Sequence, residues 1–84
     1  MPITLPNSEF AAATAVAPKF NVRELRTVEA HANRARFFDW RNSDKDWEPF
    51  RARLEAAHLD LHNGDHLLAI VVVFRWRLAA LQSA

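Results

Sequence analysis

The clearest hydrophobic pattern in the chain follows Asn21, where apolar residues recur at intervals of three and four positions. Asn21 is followed three residues later by Glu24, the arrangement of a capping box at a helix N-terminus. The spacing predicts an amphipathic helix that reaches the Phe37–Phe38 pair. Its apolar stripe comprises Leu25, Val28, Ala32 and Ala35.

A second helical stripe follows the polar segment at residues 42–44. Ser43 or Asp46 is predicted to cap this helix, and Pro49 is tolerated in its first turn. Asn63–Gly64 is predicted to end it, because glycine readily adopts the left-handed conformation common after a helix C-terminus. The stripe comprises Trp47, Phe50, Leu54, Ala57 and Leu61.

The N-terminal segment predicts less regular structure. Pro2 and Pro6 favour an extended arm over residues 1–7. Ser8 is then predicted to cap a short helix that runs through Ala17 and is stopped by Pro18.

Residues 67–78 fit two secondary structures. With Asp65 as a cap, the segment could form a helix that finishes in helix-favouring residues. Its β-branched and aromatic content and the Asn63–Gly64 turn signal also fit a strand in a hairpin. We expect the helix, because a lone hairpin is marginally stable and the chain offers few other strands. The expectation is therefore a mainly α fold of three to four helices, with α+β as the alternative.

Composition places the chain among small globular proteins. Its 84 residues fit one domain, 1–84, and its net charge of +1 is spread over interspersed acids and bases. It contains no cysteine, so disulfides and thiolate metal sites are excluded, and a cytoplasmic location is expected. The N-terminus lacks a signal-peptide pattern, and the longest apolar run is too short to span a bilayer. No membrane association is expected.

The segment HLDLHNGDH places three histidines and two aspartates in nine positions, 58–66. His58, His62 and His66 are spaced by four, which on an unbroken helix would align two or three metal ligands. Asn63–Gly64 interrupts that alignment, and histidines also interact favourably with helix C-termini. We expect no metal here, and Asp65 is predicted to cap the following element.

Features of an enzyme are weak in this sequence. Gly64 is the single glycine, so no glycine-rich phosphate loop exists, and no serine has a nucleophile-elbow context. The chain is expected to be non-enzymatic, without a cofactor or a small-molecule substrate.

Aromatic and arginine residues cluster in residues 34–47 and 74–77. Most of the aromatics are expected to build the core, and the arginines are expected at its edge. The candidate core aromatics are Phe37, Phe38, Trp47, Phe50, Phe74 and Trp76. Others fit a partner interface, because tryptophan and arginine are frequent binding hot spots. The candidate partner-binding residues are Arg36, Trp40, Arg41, Arg75, Trp76 and Arg77. If 67–78 is helical it is apolar on all sides, and we expect a partner to help cover it.

Three functions follow from these observations. The first is a protein-binding module that occupies the surface of another protein or a second copy of itself, as an adaptor, an assembly subunit or an inhibitor. Compact cysteine-free domains of this size are common among phage and mobile-element proteins, including inhibitors of host defence of the anti-CRISPR type. The second is a helical nucleic-acid-binding regulator, which the near-neutral charge disfavours. The third is a metal-dependent activity at His58 and His62.

Overall fold

The chain forms four α-helices in the computed structural model, which describes residues 8–37 and 47–83. The helices are α1 (Ser8–Val16), α2 (Val22–Phe37), α3 (Glu48–Ala56) and α4 (Gly64–Gln82), with a 3-10 turn at Ala17–Lys19. The described ranges contain no strand. The predicted mainly α class is confirmed, and the α+β alternative is wrong. The predicted arm at 1–7 lies outside the described residues.

The start of α2 confirms the predicted capping box. The Asn21 side-chain oxygen accepts a hydrogen bond from the Glu24 backbone N–H at 2.8 Å, and Glu24 accepts one from the Asn21 N–H at 2.9 Å. These bonds satisfy two donors that a helix start leaves without intrahelical partners. The predicted apolar stripe faces inward. Leu25, Val28 and Ala32 are buried, and Ala35 is partly buried against the core.

Helix α1 ends at Val16, one residue before the predicted Ala17, and Pro18 lies in the separate 3-10 turn that follows. The predicted end of α3 is wrong. Helix α3 ends at Ala56, well before the predicted end at Asn63–Gly64. Trp47 precedes α3 without a side-chain cap, whereas Ser43 and Asp46 lie outside the described residues.

The early end of α3 is a Schellman motif without glycine. His58 has a positive φ of 67°, its N–H donates to the Glu55 carbonyl at 2.9 Å, and the Leu59 N–H donates to the Leu54 carbonyl at 3.1 Å. The turn directs Leu59 and Leu61 into the core. The early end of α3 therefore adds Leu59 and Leu61 to the core, whereas a longer helix would have placed these two side chains elsewhere.

Helix α4 begins at Gly64, and Asn63 caps it in place of the predicted Asp65. The Asn63 side-chain oxygen accepts bonds from the backbone N–H groups of Asp65 at 2.8 Å and His66 at 3.4 Å. Gly64 has no positive φ, so the freedom of glycine is not used here. The side chain of asparagine rather than the backbone of glycine therefore sets this boundary.

The protein itself covers most of α4. The helix packs along α2 and against α1, and seven of its residues are buried: Leu67, Ala69, Ile70, Val71, Val73, Phe74 and Leu78. Leu68 and Val72 are half-buried. The expectation that this segment needs a partner for cover is wrong for most of its length. Two neighbouring helices bury more of its circumference than we expected for so small a chain.

An aromatic cluster joins the helices at the centre of the core. The Phe20 ring lies 5.3 Å from that of Phe74 and 6.2 Å from that of Phe50, measured between centroids. Arg53 covers this cluster, with its guanidinium carbon 4.7 Å from the Phe20 centroid. Trp47 is fully buried and stacks on His31 at 4.9 Å.

The prediction of which aromatic side chains build the core is therefore only partly correct. Trp47 and Phe74 are fully buried, and Phe50 is partly buried against the core. Phe37 and Trp76 are instead exposed, by 63% and 68%. Phe38 lies outside the described residues.

None of the helices in residues 8–37 and 47–83 combines the length and apolarity needed to cross a membrane.

Candidate functional site

The most exposed large apolar side chain of the described residues is Trp76, on the outer side of α4. Val73, Trp76 and Arg77 are separated by three and four positions, so they share one face of the helix. Thr14, Ala17 and Pro18 repeat that spacing opposite them, at the end of α1 and in the 3-10 turn. These six residues line a surface groove of about 280 Å³, which we call the Trp76 groove.

The walls of the Trp76 groove carry few free polar groups. The Thr14 hydroxyl donates to the Phe10 carbonyl within its own helix at 2.8 Å. Pro18 has no backbone N–H to offer. Arg77 is half-buried, and its Nε is shielded from water without a hydrogen-bond acceptor. Arg77 is therefore the main polar feature of an otherwise apolar groove.

Arg75 lies on a different side of α4, because residues two apart on a helix point in nearly opposite directions. Its Nη2 donates to the Glu29 carboxylate of α2 at 2.7 Å. The Arg75 side chain is 63% exposed, so this ion pair contributes little to stability, on the order of 0–1 kcal/mol. Arg75 thus connects two helices and does not join Trp76 and Arg77 in one groove.

Three further residues were predicted to bind a partner, and the structure describes one of them, Arg36. Arg36 is exposed near the end of α2, with its guanidinium carbon 4.9 Å from the Phe37 ring centroid. Trp40 and Arg41 lie outside the described residues. Of the four predicted residues that are described, only Trp76 and Arg77 line the same groove.

Sequence reasoning missed the other lining residues of the groove. Trp76 and Arg77 were recognisable from their aromatic–arginine pairing, whereas Thr14 and Pro18 had been assigned only to a helix and its end. The repeated three-and-four spacing in both segments is the sequence signal, but it gives no indication that the two faces meet.

A second groove of about 340 Å³ lies between α1 and α3. Its walls are mostly small residues, with Lys19 and Arg53 at the polar positions. Arg53 already donates to the Glu24 carboxylate and to the Lys19 carbonyl, both at 3.3 Å. This groove offers no large exposed apolar side chain as an anchor.

The histidine-rich segment connects α3 to α4. His58 is the left-handed residue of the Schellman motif, and the His62 N–H donates to the Asp60 carboxylate at 2.9 Å. His66 accepts the Asp60 backbone N–H at Nδ1, at 2.8 Å. No group of three or more histidine, cysteine, aspartate or glutamate residues is placed to hold a metal ion within 8–37 and 47–83. The observed contacts of these residues are those of a tight interhelical turn.

His58 provides a test of this structural role. Replacing His58 with glycine is expected to raise the free energy of unfolding by roughly 0.5–1 kcal/mol, because glycine adopts a positive φ without the strain of a side chain. Thermal unfolding of the wild type and the variant, with and without added zinc, measures the effect.

His62→Gly serves as the matched control and should show no gain in stability. A metal site predicts the opposite pattern, in which zinc raises the melting temperature of the wild type and either substitution removes that rise.

Comparison with known proteins found no match for the chain among protein-family models, curated proteins or solved structures.

Proposed function

We propose that this protein is a small non-enzymatic binding module that acts by occupying the surface of a partner protein. The observation that carries the proposal is the 68% exposure of Trp76 on a regular helix whose neighbouring positions Val73 and Phe74 are buried. A solvated indole of this size gains hydrophobic free energy when a partner covers it.

The setting of Trp76 supports a role in binding. Helix α4 is held on two other sides by α1 and α2, so the indole is presented from a packed element. Binding then requires little ordering of the backbone, which limits the entropic cost of association. Arg77 lies beside it, and tryptophan and arginine are the residue types most enriched at interface hot spots.

The module fits an adaptor, an assembly subunit or an inhibitor, including phage or mobile-element inhibitors of host defence of the anti-CRISPR type. A cytoplasmic location belongs to the same proposal, because a small cysteine-free chain suits a reducing compartment.

A nucleic-acid-binding role has less support. Arg75 is an exposed arginine of the 74–77 cluster, and its side chain is already paired with Glu29. Arg77 is half-buried and next to an apolar wall. A net charge of +1 also supplies little attraction to a phosphate backbone.

Site-specific photo-crosslinking tests the proposal. A photoreactive phenylalanine analogue is placed at Trp76 in the full chain, which is then irradiated in cells of its native source. Ala52, which is exposed on α3, carries the same analogue as the matched control. We expect a discrete protein adduct from position 76 and none from position 52. Equal adduct patterns from both positions, or a nuclease-sensitive adduct, would contradict a protein-binding role for this surface.

A further inference from the structure

Among the described residues, one half-buried arginine lacks the contact with a carboxylate that the other half-buried arginines make. Within the described ranges three arginines are half-buried, namely Arg51, Arg53 and Arg77. Arg51 contacts two glutamates of its own helix at 3.4 and 3.5 Å, and Arg53 contacts Glu24 at 3.3 Å. Arg77 has no carboxylate partner among the residues that the structure describes. Its positive charge is therefore the least compensated of the three.

The guanidinium of Arg77 also contains an unsatisfied donor. Its Nε atom is shielded from solvent and has no hydrogen-bond acceptor. A donor that has lost water without gaining an acceptor carries its full desolvation cost. The same guanidinium has no carboxylate partner in the described chain, so an external carboxylate that reaches its Nη groups compensates the charge.

The volume and the lining of the groove limit the kind of ligand that can supply this acceptor. At about 280 Å³ the Trp76 groove lies near the lower bound of ordinary ligand pockets, roughly 300 Å³. Trp76, Val73 and Pro18 provide apolar wall, and Arg77 provides a planar fork of donors that matches a carboxylate.

We propose that the Trp76 groove binds a short acidic peptide segment of a partner protein, with a carboxylate on Arg77 and an adjacent apolar side chain against Trp76. This inference rests on the proposed function and gives the chemistry of the partner at that surface. Nucleic acid fits less well, because one arginine offers a single phosphate contact and the walls are apolar.

Peptide titration of the full chain tests the proposal. The probes are fluorescein-labelled peptides of eight residues, each with one glutamate flanked on either side by leucine or phenylalanine. Each peptide has a twin with glutamine in place of glutamate. Affinity is measured by fluorescence polarisation, and the Arg77 Nε–H signal is followed by nitrogen–proton NMR.

Four variants separate the contributions. Arg77→Lys keeps the charge but not the fork, Arg77→Gln removes both, and Trp76→Ala removes the apolar wall. Arg75→Gln is the control, because it removes the neighbouring positive charge on another side of α4. Circular dichroism of each variant verifies that the fold is retained.

We expect at least one glutamate peptide to bind about tenfold more tightly than its glutamine twin. This preference should disappear in Arg77→Gln, weaken in Arg77→Lys and persist in Arg75→Gln. The Nε–H signal should shift on binding of that peptide. Trp76→Ala should weaken the binding of the glutamate peptide and of its glutamine twin alike, because both lose the contact between their apolar side chain and the indole.

Other outcomes overturn the inference. These are equal binding of the twins, absence of binding by the whole set, equal loss in Arg75→Gln, or displacement of the peptide by a DNA oligonucleotide. Self-association of the chain that Arg77→Gln abolishes would assign the groove to a second copy instead. A protein adduct from position 76 together with equal binding of the twins would leave the proposed function standing and remove only the acidic partner.

Discussion

Phe74→Ala is expected to lower the free energy of unfolding by about 3–5 kcal/mol. Phe74 is fully buried in α4, and its ring contacts Phe20 at the centre of the aromatic cluster. Truncation leaves a cavity between elements that the surrounding helices cannot close completely. Because small domains are stable by only about 5–15 kcal/mol, much of the native state's stability depends on this ring. Urea denaturation followed by circular dichroism measures the change.

Phe37→Ala is the matched control for this experiment. It makes the same chemical change on a side chain that is 63% exposed, so the expected effect is within about 0.5 kcal/mol. Similar losses in the two variants would show that Phe74 does not occupy the core described above.

Glu24→Gln is expected to remove part of the acid sensitivity of the fold. The pKa of Glu24 lies below its ordinary value of 4.5, because the Asn21 backbone N–H and then the Arg53 side chain donate to its carboxylate. A carboxyl with a lower pKa in the folded chain binds fewer protons when folded. Its stabilisation is therefore present in full above pH 4.5 and is lost as the pH falls through the folded-state pKa.

Glutamine at position 24 can still accept from the Asn21 N–H, so the substitution removes the charge and retains the capping geometry. The wild type should be more stable at neutral pH by up to about 1 kcal/mol, since the pair is partly solvated. Melting temperatures of both chains across acidic pH should converge. Parallel curves over that range would mean that folding does not lower the pKa of the Glu24 carboxyl group.

Arg53→Met is the companion variant for this series. Methionine keeps apolar contact with Phe20 and Phe50 but cannot donate to Glu24. It should reduce the acid sensitivity without removing it, because the Asn21 contribution to the lowered pKa of Glu24 is the larger one.

Prediction from sequence was most accurate where neighbouring residues determine the structure. The Asn21–Glu24 capping box and the stripe of Leu25, Val28 and Ala32 were both correct. Prediction was poor at the end of α3, where glycine was expected to terminate the helix. The chain uses His58 in the left-handed region instead, which the preference for glycine at such positions does not anticipate.

The candidate site was predictable only in part. The FRWR segment drew attention to Trp76 and Arg77, and both line one groove. The same reasoning grouped Arg75 with them. It could not separate them, because residues two apart share a face on a strand and oppose each other on a helix.

The sequence by itself determined the Asn21–Glu24 capping box, the amphipathic stripe of α2 and the absence of cysteine chemistry. Those features depend on composition or on residues within four positions of each other. The tertiary structure decided that residues 67–78 form a helix, because α1 and α2 cover a segment whose local preferences were divided. It also engaged Arg75 with Glu29, 46 residues away, and left Arg77 beside Trp76 without a carboxylate in the described chain. Such pairings depend on which helix faces meet, and the burial of apolar surface along the whole chain determines those faces.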